Sequence, residues 1–142
     1  MTCWLPASCF LKVENVVEVA IAMRIITYTR SRFVIRSGGH NSNPGFSGID
    51  NSGIVLDLAA LNTITVSFEH GTASVGPGAT WEKVYEKLEK HQLTVVGGRV
   101  ASVGVGGLIL GGGMSHFSNY WGLVCDNVKN FEVVLADSRV VQ

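Results

Sequence analysis

The spacing of apolar and polar positions predicts a helix and two strands in the first part of the chain. Over residues 13–29 (VENVVEVAIAMRIITYT), apolar side chains recur near helical spacing, and Glu14, Glu18 and Arg24 lie off that face. The predicted apolar face comprises Val13, Val16, Val17, Ala20, Ile21 and Met23. Short apolar runs bounded by turn residues, which are typical of strands, follow at residues 32–36 (RFVIR) and 53–58 (GIVLDL). These elements predict a small α/β layer.

The pattern changes after about residue 60. Residues 63–68 and 72–76 are rich in β-forming residues and are separated by Glu69-His70-Gly71, which predicts a β-hairpin. Thr80 is a good N-cap for a helix over the next stretch, WEKVYEKLEKH. The predicted apolar face of that helix comprises Trp81, Val84, Tyr85 and Leu88. On its outer side we expect an i,i+4 pair between Glu86 and Lys90.

A second hairpin is predicted near the end of the chain. Its strands are residues 130–135 and 139–141, and the chain turns at Ala136-Asp137-Ser138. The predicted fold class is therefore α+β, a small α/β layer followed by a mainly antiparallel sheet with helices. We expect a first subdomain over about residues 1–60 and a second, incomplete one over about residues 61–142.

Composition narrows the classes of function. A chain of 142 residues is one small domain or a piece of a larger one, and 46% hydrophobic with 15% charged residues is typical of a packed core. The net charge of zero argues against a nucleic-acid partner or a membrane surface. The longest mostly apolar run, residues 16–26, is too short for a membrane span. The first 15 residues show no signal-peptide pattern, and localisation is not predicted.

The cysteines and histidines do not indicate a metal site. Cys3, Cys9 and Cys125 are odd in number and form no CxxC pair, so we expect neither a zinc site nor a disulfide framework, but buried or half-buried thiols. The histidines at positions 70, 91 and 116 show no metal-ligand spacing with one another. No metal is therefore expected.

Glycines mark the candidate chemistry. We call residues 36–42 (RSGGHNS) the first glycine loop. Its backbone N–H groups could form an anion-binding nest, because glycine lets the main chain approach a ligand closely. An ordinary glycine-rich turn with a surface histidine is the alternative. A third reading makes His40 an acid or base, because imidazole titrates near neutral pH.

Two further stretches leave alternatives open. We call residues 102–113 (SVGVGGLILGGG) the second glycine segment, which is neither a P-loop nor a clear dinucleotide-binding fingerprint. Interior glycines cost about 0.5–1 kcal/mol each relative to alanine. Either a flat or phosphorylated ligand packs against this backbone, or two segments cross here. In residues 122–128 (GLVCDNV), Asp126 and Asn127 could hold a polar ligand group or cap a turn.

The order of these motifs is more specific than any one of them. RSGGH, GIVLDL, ASVGPGATW, the second glycine segment, GLVCDNV and FEVVLAD follow one another along the chain. In this order they resemble the FAD-binding (PCMH-type) domain of the vanillyl-alcohol-oxidase-type flavoproteins. The chain is most similar to the berberine-bridge-enzyme-like FAD-linked oxidoreductases of fungi. The resemblance runs from about Ser8 to the end of the chain.

The resemblance implies which residues hold FAD. In that family the RSGGH loop wraps the pyrophosphate with backbone N–H groups, and its histidine, here His40, is attached covalently to the flavin. The matching cofactor-binding positions are Arg36, Ser37, Gly38, Gly39, His40, Asn41, Ser42, Ser102, Val103, Gly104, Gly106, Gly107, Gly112, Gly113, Gly122, Asp126, Asn127 and Val128. Val100 stands where some relatives carry a second covalent cysteine, so a single link is expected. Residues 76–78 match a turn that we interpret as structural.

The resemblance also implies an activity. The family transfers a hydride from a small organic substrate to FAD, and dioxygen is the expected acceptor; the fungal branch indicates secondary metabolism. Full-length relatives extend beyond both ends, so the chain looks truncated, and the residues that choose the substrate and act as catalytic base are expected outside it. The alternatives are a truncated flavin-binding fragment without activity of its own, and a nucleotide-phosphate-binding module without redox function.

Overall fold

Three parallel strands and a helix form the first layer of the protein in a computed structural model that describes residues 5–142. Strand β1 (Cys9–Lys12), helix α1 (Val16–Thr29), strand β2 (Arg32–Arg36) and strand β3 (Gly53–Asp57) follow in sequence. The sheet order is β1-β3-β2, so both neighbours pair with β3. This confirms the predicted α/β layer. The apolar pattern does not reveal β1, because the strand is only four residues long. All four of its residues are exposed in the structure.

Helix α1 begins three residues later than predicted because of its N-cap. The side-chain oxygen of Asn15 accepts a hydrogen bond from the Glu18 backbone N–H at 3.0 Å. The Glu18 carboxylate reaches back and accepts one from the Glu14 N–H at 2.8 Å. The last turn ends at Arg30, which adopts a left-handed conformation with φ of 51°.

The face that α1 turns to the core differs from the predicted one. Met23 is buried as expected, but its buried companions are Ala22 and Ile26. Val17 and Ile21, both placed on the predicted face, are 61% and 54% exposed. The helix is apolar on most of its circumference, so periodicity alone does not single out the face that packs.

The second layer is built from a hairpin and a helix, as predicted. Strands β4 (Ile64–Ser67) and β5 (Thr72–Val75) pair antiparallel, and helix α2 (Trp81–Glu89) packs against β4. The predicted apolar face of α2 is confirmed, since Trp81, Val84 and Leu88 are buried and Tyr85 packs beside them. The core cluster of this layer comprises Ala79, Trp81, Val84, Leu88, Val105 and Val124.

Two details of α2 differ from expectation. Thr80 occupies the N-cap position, but its side chain makes no capping hydrogen bond, and its backbone instead forms a β-bridge to Gly104. The ion pair on the exposed face joins Lys83 and Glu86 at 2.9 Å, in place of the expected pair between Glu86 and Lys90. Pairs on such an exposed helix face contribute only a few tenths of a kcal/mol, so spacing alone decides weakly between them.

The rest of the chain adds short elements. Helix α3 (Val105–Leu110), helix α4 (Ser118–Trp121) and a 3₁₀ turn (Cys125–Asn127) precede strands β6 (Val133–Val134) and β7 (Val140–Val141). The terminal hairpin is confirmed and turns where predicted. It packs on the first layer: Val134 lies against the cluster of Val13, Ala22, Met23 and Leu56, and the Thr27 hydroxyl donates to the Ala136 carbonyl at 3.0 Å.

Two other expectations can be compared with the described residues. Cys9 is an exposed free thiol, not a buried one, because it lies on the exposed strand β1; Cys125 is half-buried and free, and Cys3 lies outside the described residues. No helix within residues 5–142 is both long enough and apolar enough to cross a membrane.

Candidate functional site

The first glycine loop leaves the carboxyl end of β2, and a salt bridge braces its base. The Arg36 Nη2 atom lies 2.6 Å from Asp57 Oδ2, and the guanidinium carbon lies 5.3 Å from the centroid of the Phe10 ring. The other carboxylate oxygen of Asp57 accepts a hydrogen bond from the Ala59 N–H at 3.0 Å. Arg36, predicted to bind the cofactor, is thus engaged by the sheet.

Asp57 belongs to this site, although the motif reading did not include it. It is the last residue of β3 and pairs in register with Arg36, the last residue of β2. The signal that could have pointed to Asp57 is an acidic residue at the end of one strand and an Arg at the end of the neighbouring strand. Finding that signal requires the strand pairing, which the sequence does not provide.

The first glycine loop and the second glycine segment cross at two glycines. A Cβ atom added to Gly38 would lie 2.6 Å from the Gly104 nitrogen, and one added to Gly104 would lie 2.5 Å from the Gly38 nitrogen. The two main chains therefore touch directly, and neither position has room for a side chain. The second glycine segment therefore crosses another segment, which is one of the two alternatives that the sequence left open.

The turn at residues 76–78, which we call the Pro77 turn, lies against this crossing. The Ser37 hydroxyl donates a hydrogen bond to the Pro77 carbonyl. A Cβ atom on Gly106 would lie 3.3 Å from the same carbonyl oxygen. The Val105 N–H, at the start of α3, donates to the Ala79 carbonyl just after the turn at 2.9 Å.

Several backbone donors around the crossing have no partner among the described residues. The N–H groups of residues 38–42, and those of Gly106 and Gly107 in the first turn of α3, make no hydrogen bond within residues 5–142. Gly39 has φ of 63°, and the exposed His40 ring makes no hydrogen bond or ion pair in the same part of the chain. A run of unsatisfied N–H groups at exposed or half-buried positions can bind an anion such as a phosphate.

Gly107 provides the clearest test of whether a flat or phosphorylated ligand fits here. It lies inside α3, it is exposed, and a Cβ atom added to it would meet nothing within 4 Å. Alanine at such a position would stabilise the helix by about 0.5–1 kcal/mol. The packing of the described residues gives no reason for glycine there, whereas a ligand lying along the backbone does. These residues fit the cofactor that the resemblance implies.

The third predicted stretch is held by its own side chains. We call residues 121–127 the Gly122 turn. The Asp126 carboxylate accepts a hydrogen bond from the Leu123 N–H at 2.7 Å, and the Asn127 amide donates to the Trp121 carbonyl at 2.8 Å. Both side chains thus cap a turn, which was the alternative to ligand binding, and Gly122 turns with φ of 73°.

Backbone hydrogen bonds join the Gly122 turn to the second glycine segment. The Val124 N–H donates to the Gly113 carbonyl at 2.9 Å, and the Cys125 N–H donates to the Gly112 carbonyl at 3.0 Å. Gly112 and Gly113 adopt positive φ, and a Cβ on Gly113 would lie 2.9 Å from that of Val124. These two glycines therefore have a packing reason of their own.

The structure brings most of the predicted site residues to one region, but with different exposures. The exposed ones are Gly38, His40, Asn41, Ser42, Ser102, Gly107, Gly122 and Asp126. The half-buried or buried ones are Arg36, Ser37, Gly39, Val103, Gly104, Gly106, Gly112, Gly113, Asn127 and Val128. Val103 packs against the core cluster of the second layer, and its carbonyl accepts the Trp81 N–H at 3.1 Å. Their contact with a cofactor remains a prediction.

The segment entering the second glycine segment is held by α2. The Tyr85 hydroxyl donates to the Gly98 carbonyl at 2.9 Å, and partial burial raises the pKa of Tyr85. A Cβ atom on Gly98 would lie 2.5 Å from the Trp81 ring. The sequence places Tyr85 on the packing face of α2 but does not reveal its partner, which is 13 residues away.

Comparison with known proteins agrees with this geometry. The FAD binding domain family matches residues 7–142. FAD-dependent monooxygenase macF of Penicillium terrestre is 48% identical over 141 residues, which are 98% of this chain and 27% of that protein. The chain spans about a quarter of the length of the curated relatives it matches.

Solved structures share the fold. The structure of 6-hydroxy-D-nicotine oxidase from Arthrobacter nicotinovorans has a TM-score of 0.87 and 31% identity, covering 93% of this chain and 29% of that one. A variant of berberine bridge enzyme in complex with (S)-reticuline has a TM-score of 0.81 and 27% identity, covering 93% of this chain and 27% of that one. The predicted α+β, PCMH-type fold is confirmed.

Proposed function

The chain belongs to the FAD binding domain family, among the FAD-linked oxidoreductases related to berberine bridge enzyme. On this basis we propose that two glycine elements, the first glycine loop and the second glycine segment, hold FAD for an oxidoreductase. The first glycine loop and the N-terminal turn of α3 would face the pyrophosphate with backbone N–H groups. When bound, FAD supplies the hydride acceptor, and this chain contributes binding and orientation.

Gly107 is the observation that carries this proposal. Its position in α3 favours alanine on stability grounds, and the space beside it is open. We expect Gly107→Ala to raise the free energy of unfolding slightly while it weakens FAD binding about tenfold or more, a loss of about 1.4 kcal/mol. Urea unfolding and fluorescence titration with FAD measure the two effects separately. Unchanged FAD affinity would contradict the proposal.

The choice between FAD and a simple nucleotide phosphate is tested with the same protein. Tighter binding of FAD than of ADP supports a flavin site, because only FAD carries the isoalloxazine ring. Equal affinity for ADP and FAD would favour the nucleotide-phosphate-binding alternative.

We further propose a single covalent link between FAD and a ring nitrogen of His40. His40 is exposed at the tip of the first glycine loop, and its ring makes no hydrogen bond within residues 5–142. After acid precipitation of the loaded protein, we expect flavin fluorescence in the washed pellet. It should be lost in His40→Ala and kept in His70→Ala, a matched control in the exposed turn between β4 and β5. Flavin in the supernatant of the unaltered protein would contradict the link.

For the whole enzyme we propose hydride transfer from a small organic substrate to FAD, with dioxygen as the acceptor. The solved neighbours support this through their names, a 6-hydroxy-D-nicotine oxidase and a berberine bridge enzyme in complex with (S)-reticuline. For residues 5–142 themselves the proposal is FAD binding. A role in secondary metabolism stays a prediction of the resemblance.

The division into two subdomains near residue 60 also stays a proposal. Two separate buried clusters support it, one around Leu56 and one around Val84. The terminal hairpin belongs to the second subdomain in sequence but packs on the first cluster through Val134.

A further inference from the structure

The Ser37 side chain points into the protein, toward the Pro77 turn. It is half-buried, and its hydroxyl donates to the Pro77 carbonyl. The added Cβ atoms of Gly104 and Gly106 would lie 2.8 Å and 3.4 Å from its oxygen. A hydroxyl carries a single hydrogen to donate. Because phosphate oxygens at the proposed site are acceptors, a Ser37 hydroxyl bonded to Pro77 has no hydrogen left for them.

The Pro77 carbonyl is a fixed acceptor. Gly76 and Gly78 on either side are packed on the main chain, because an added Cβ would overlap the carbonyl of Leu61 or Leu58 respectively. The Gly78 N–H also donates to the Leu61 carbonyl at 2.9 Å. The proline ring fixes its own φ, so the Pro77 turn has little freedom to move.

The same turn is connected to the bases of both glycine elements. Leu58, on which it packs, donates its N–H to the carbonyl of Arg36, the first residue of the first glycine loop, at 2.8 Å. On the other side, the Ala79 carbonyl accepts the N–H of Val105, directly before the unsatisfied donors of α3. The Ser37 hydroxyl closes this ring of contacts by joining the loop itself to the turn.

We propose that Ser37 is a positioning residue for FAD: its hydroxyl fastens the first glycine loop to the Pro77 turn and so sets the backbone N–H groups of residues 38–42 against those of α3. The inference rests on the proposed FAD site and deepens it. It reassigns Ser37 from a direct ligand to a residue acting through the main chain, and it gives the Pro77 turn a role in the site.

Ser37→Ala in the full chain tests this role. We expect FAD to bind about tenfold more weakly, and the NMR backbone order parameters of residues 38–42 in the protein without FAD to decrease. Order parameters in α2 should stay close to those of the unaltered protein, and the urea midpoint should fall only slightly. Ser74→Ala, an exposed serine on β5, is the matched control and should change neither quantity.

The outcomes separate this inference from the function it rests on. Unchanged order parameters of the loop with weaker FAD binding would make Ser37 a direct ligand and overturn the positioning role. Equal FAD affinity in both proteins would overturn it as well. If the unaltered protein fails to bind FAD, the proposed function is contradicted, and the comparison of order parameters alone then decides whether Ser37 holds the loop.

Discussion

The crossing of the two glycine elements and the Gly122 turn are built in opposite ways. At the crossing, Gly38 and Gly104 are far apart in sequence and touch through their main chains, with no side chain between them. In the Gly122 turn, Asp126 and Asn127 hold a short stretch through side-chain hydrogen bonds to neighbouring backbone groups. The first region depends on the absence of side chains, and the second depends on particular ones.

The difference explains why the two regions tolerate change differently. A main-chain contact between distant segments cannot adjust by rotating a side chain, so any added atom must move one whole segment. A capped turn loses one or two hydrogen bonds when a side chain is removed, and water can replace part of them at an exposed position. The crossing should therefore be the more sensitive region in every variant below.

The largest effect is expected for Gly104→Ala. Its Cβ would lie 2.5 Å from the Gly38 nitrogen and 2.8 Å from the Gly38 Cα, and both are main-chain atoms. We expect a loss of about 3 kcal/mol in the free energy of unfolding, at the upper end of the range for overpacking. Urea unfolding measures it.

Gly107→Ala is the matched control for that variant. It lies in the same helical stretch, but its Cβ would meet nothing within 4 Å. It should raise stability by about 0.5–1 kcal/mol. If Gly104→Ala and Gly107→Ala have the same effect on stability, Gly38 and Gly104 are not in direct main-chain contact.

A smaller loss is expected for Gly122→Ala. Gly122 has φ of 73° and ψ of −157°, a region essentially restricted to glycine, which costs other residues about 1–3 kcal/mol. Its added Cβ would also lie 2.6 Å from the Asp126 carboxylate, but a side-chain end can move aside. Gly71→Ala is the control, because φ of 58° there is the milder left-handed conformation and nothing lies within 4 Å. Thermal or urea unfolding should rank Gly122→Ala as the more damaging of the two.

Asp126→Ala should cost less again. It removes the acceptor of the Leu123 N–H, an exposed charge-assisted hydrogen bond, and we expect a loss of about 1 kcal/mol. Asp126→Asn keeps an oxygen at the same position and should recover most of that loss. Exchange of the Leu123 amide, followed in both variants, reports the bond directly; equal protection in Asp126→Ala and the unaltered protein would argue against it.

The same contrast decides what the sequence could predict. Capping by Asp126 and Asn127 could be predicted as one of two alternatives, because both act within a few residues of their own positions. The hairpins and the face of α2 were readable for the same reason. The partner of Gly104 was not, because a glycine carries no mark of the segment that it touches. The cap predicted for Thr80 is not formed, because its backbone pairs with the distant Gly104. Only the order of the motifs, compared with a known family, brought the glycine elements together.

The buried face of α1 and the position of β1 could not be predicted from the sequence, for a different reason. An apolar pattern selects a buried face only when the opposite face is polar. In α1 the exposed positions include Val17, Ile21 and Ile25, so the pattern contains no such contrast. Strand β1 is recognised only once its pairing with β3 is known. Contacts with distant parts of the chain decide both which face of α1 is buried and where β1 lies.

The smallest effect is expected where a single side chain steadies the approach to the crossing. The Tyr85 hydroxyl donates to the Gly98 carbonyl at 2.9 Å, and burial raises the pKa of Tyr85 above its usual value of 10.0. The folded state then keeps this proton at a pH where the unfolded chain has lost it. The stabilisation that the Tyr85 proton contributes is therefore fully present below about pH 10, and it is lost as the pH rises through the folded-state pKa.

Tyr85→Phe separates this hydrogen bond from the packing of the ring. At neutral pH we expect a loss of about 0.5 kcal/mol, the low end of the range for one hydrogen bond, because the Gly98 carbonyl loses its donor while the aromatic contacts remain. Above pH 10, Tyr85→Phe should lose less stability with rising pH than the unaltered protein, so the two urea-unfolding curves converge. Tyr28→Phe, at a side chain that is 89% exposed, is the control at neutral pH and should be neutral there. A constant gap between Tyr85→Phe and the unaltered protein from pH 7 to pH 11 would show that the phenol proton does not support the approach to the crossing. The main-chain contact of Gly38 and Gly104 would then have to fix the second glycine segment without it.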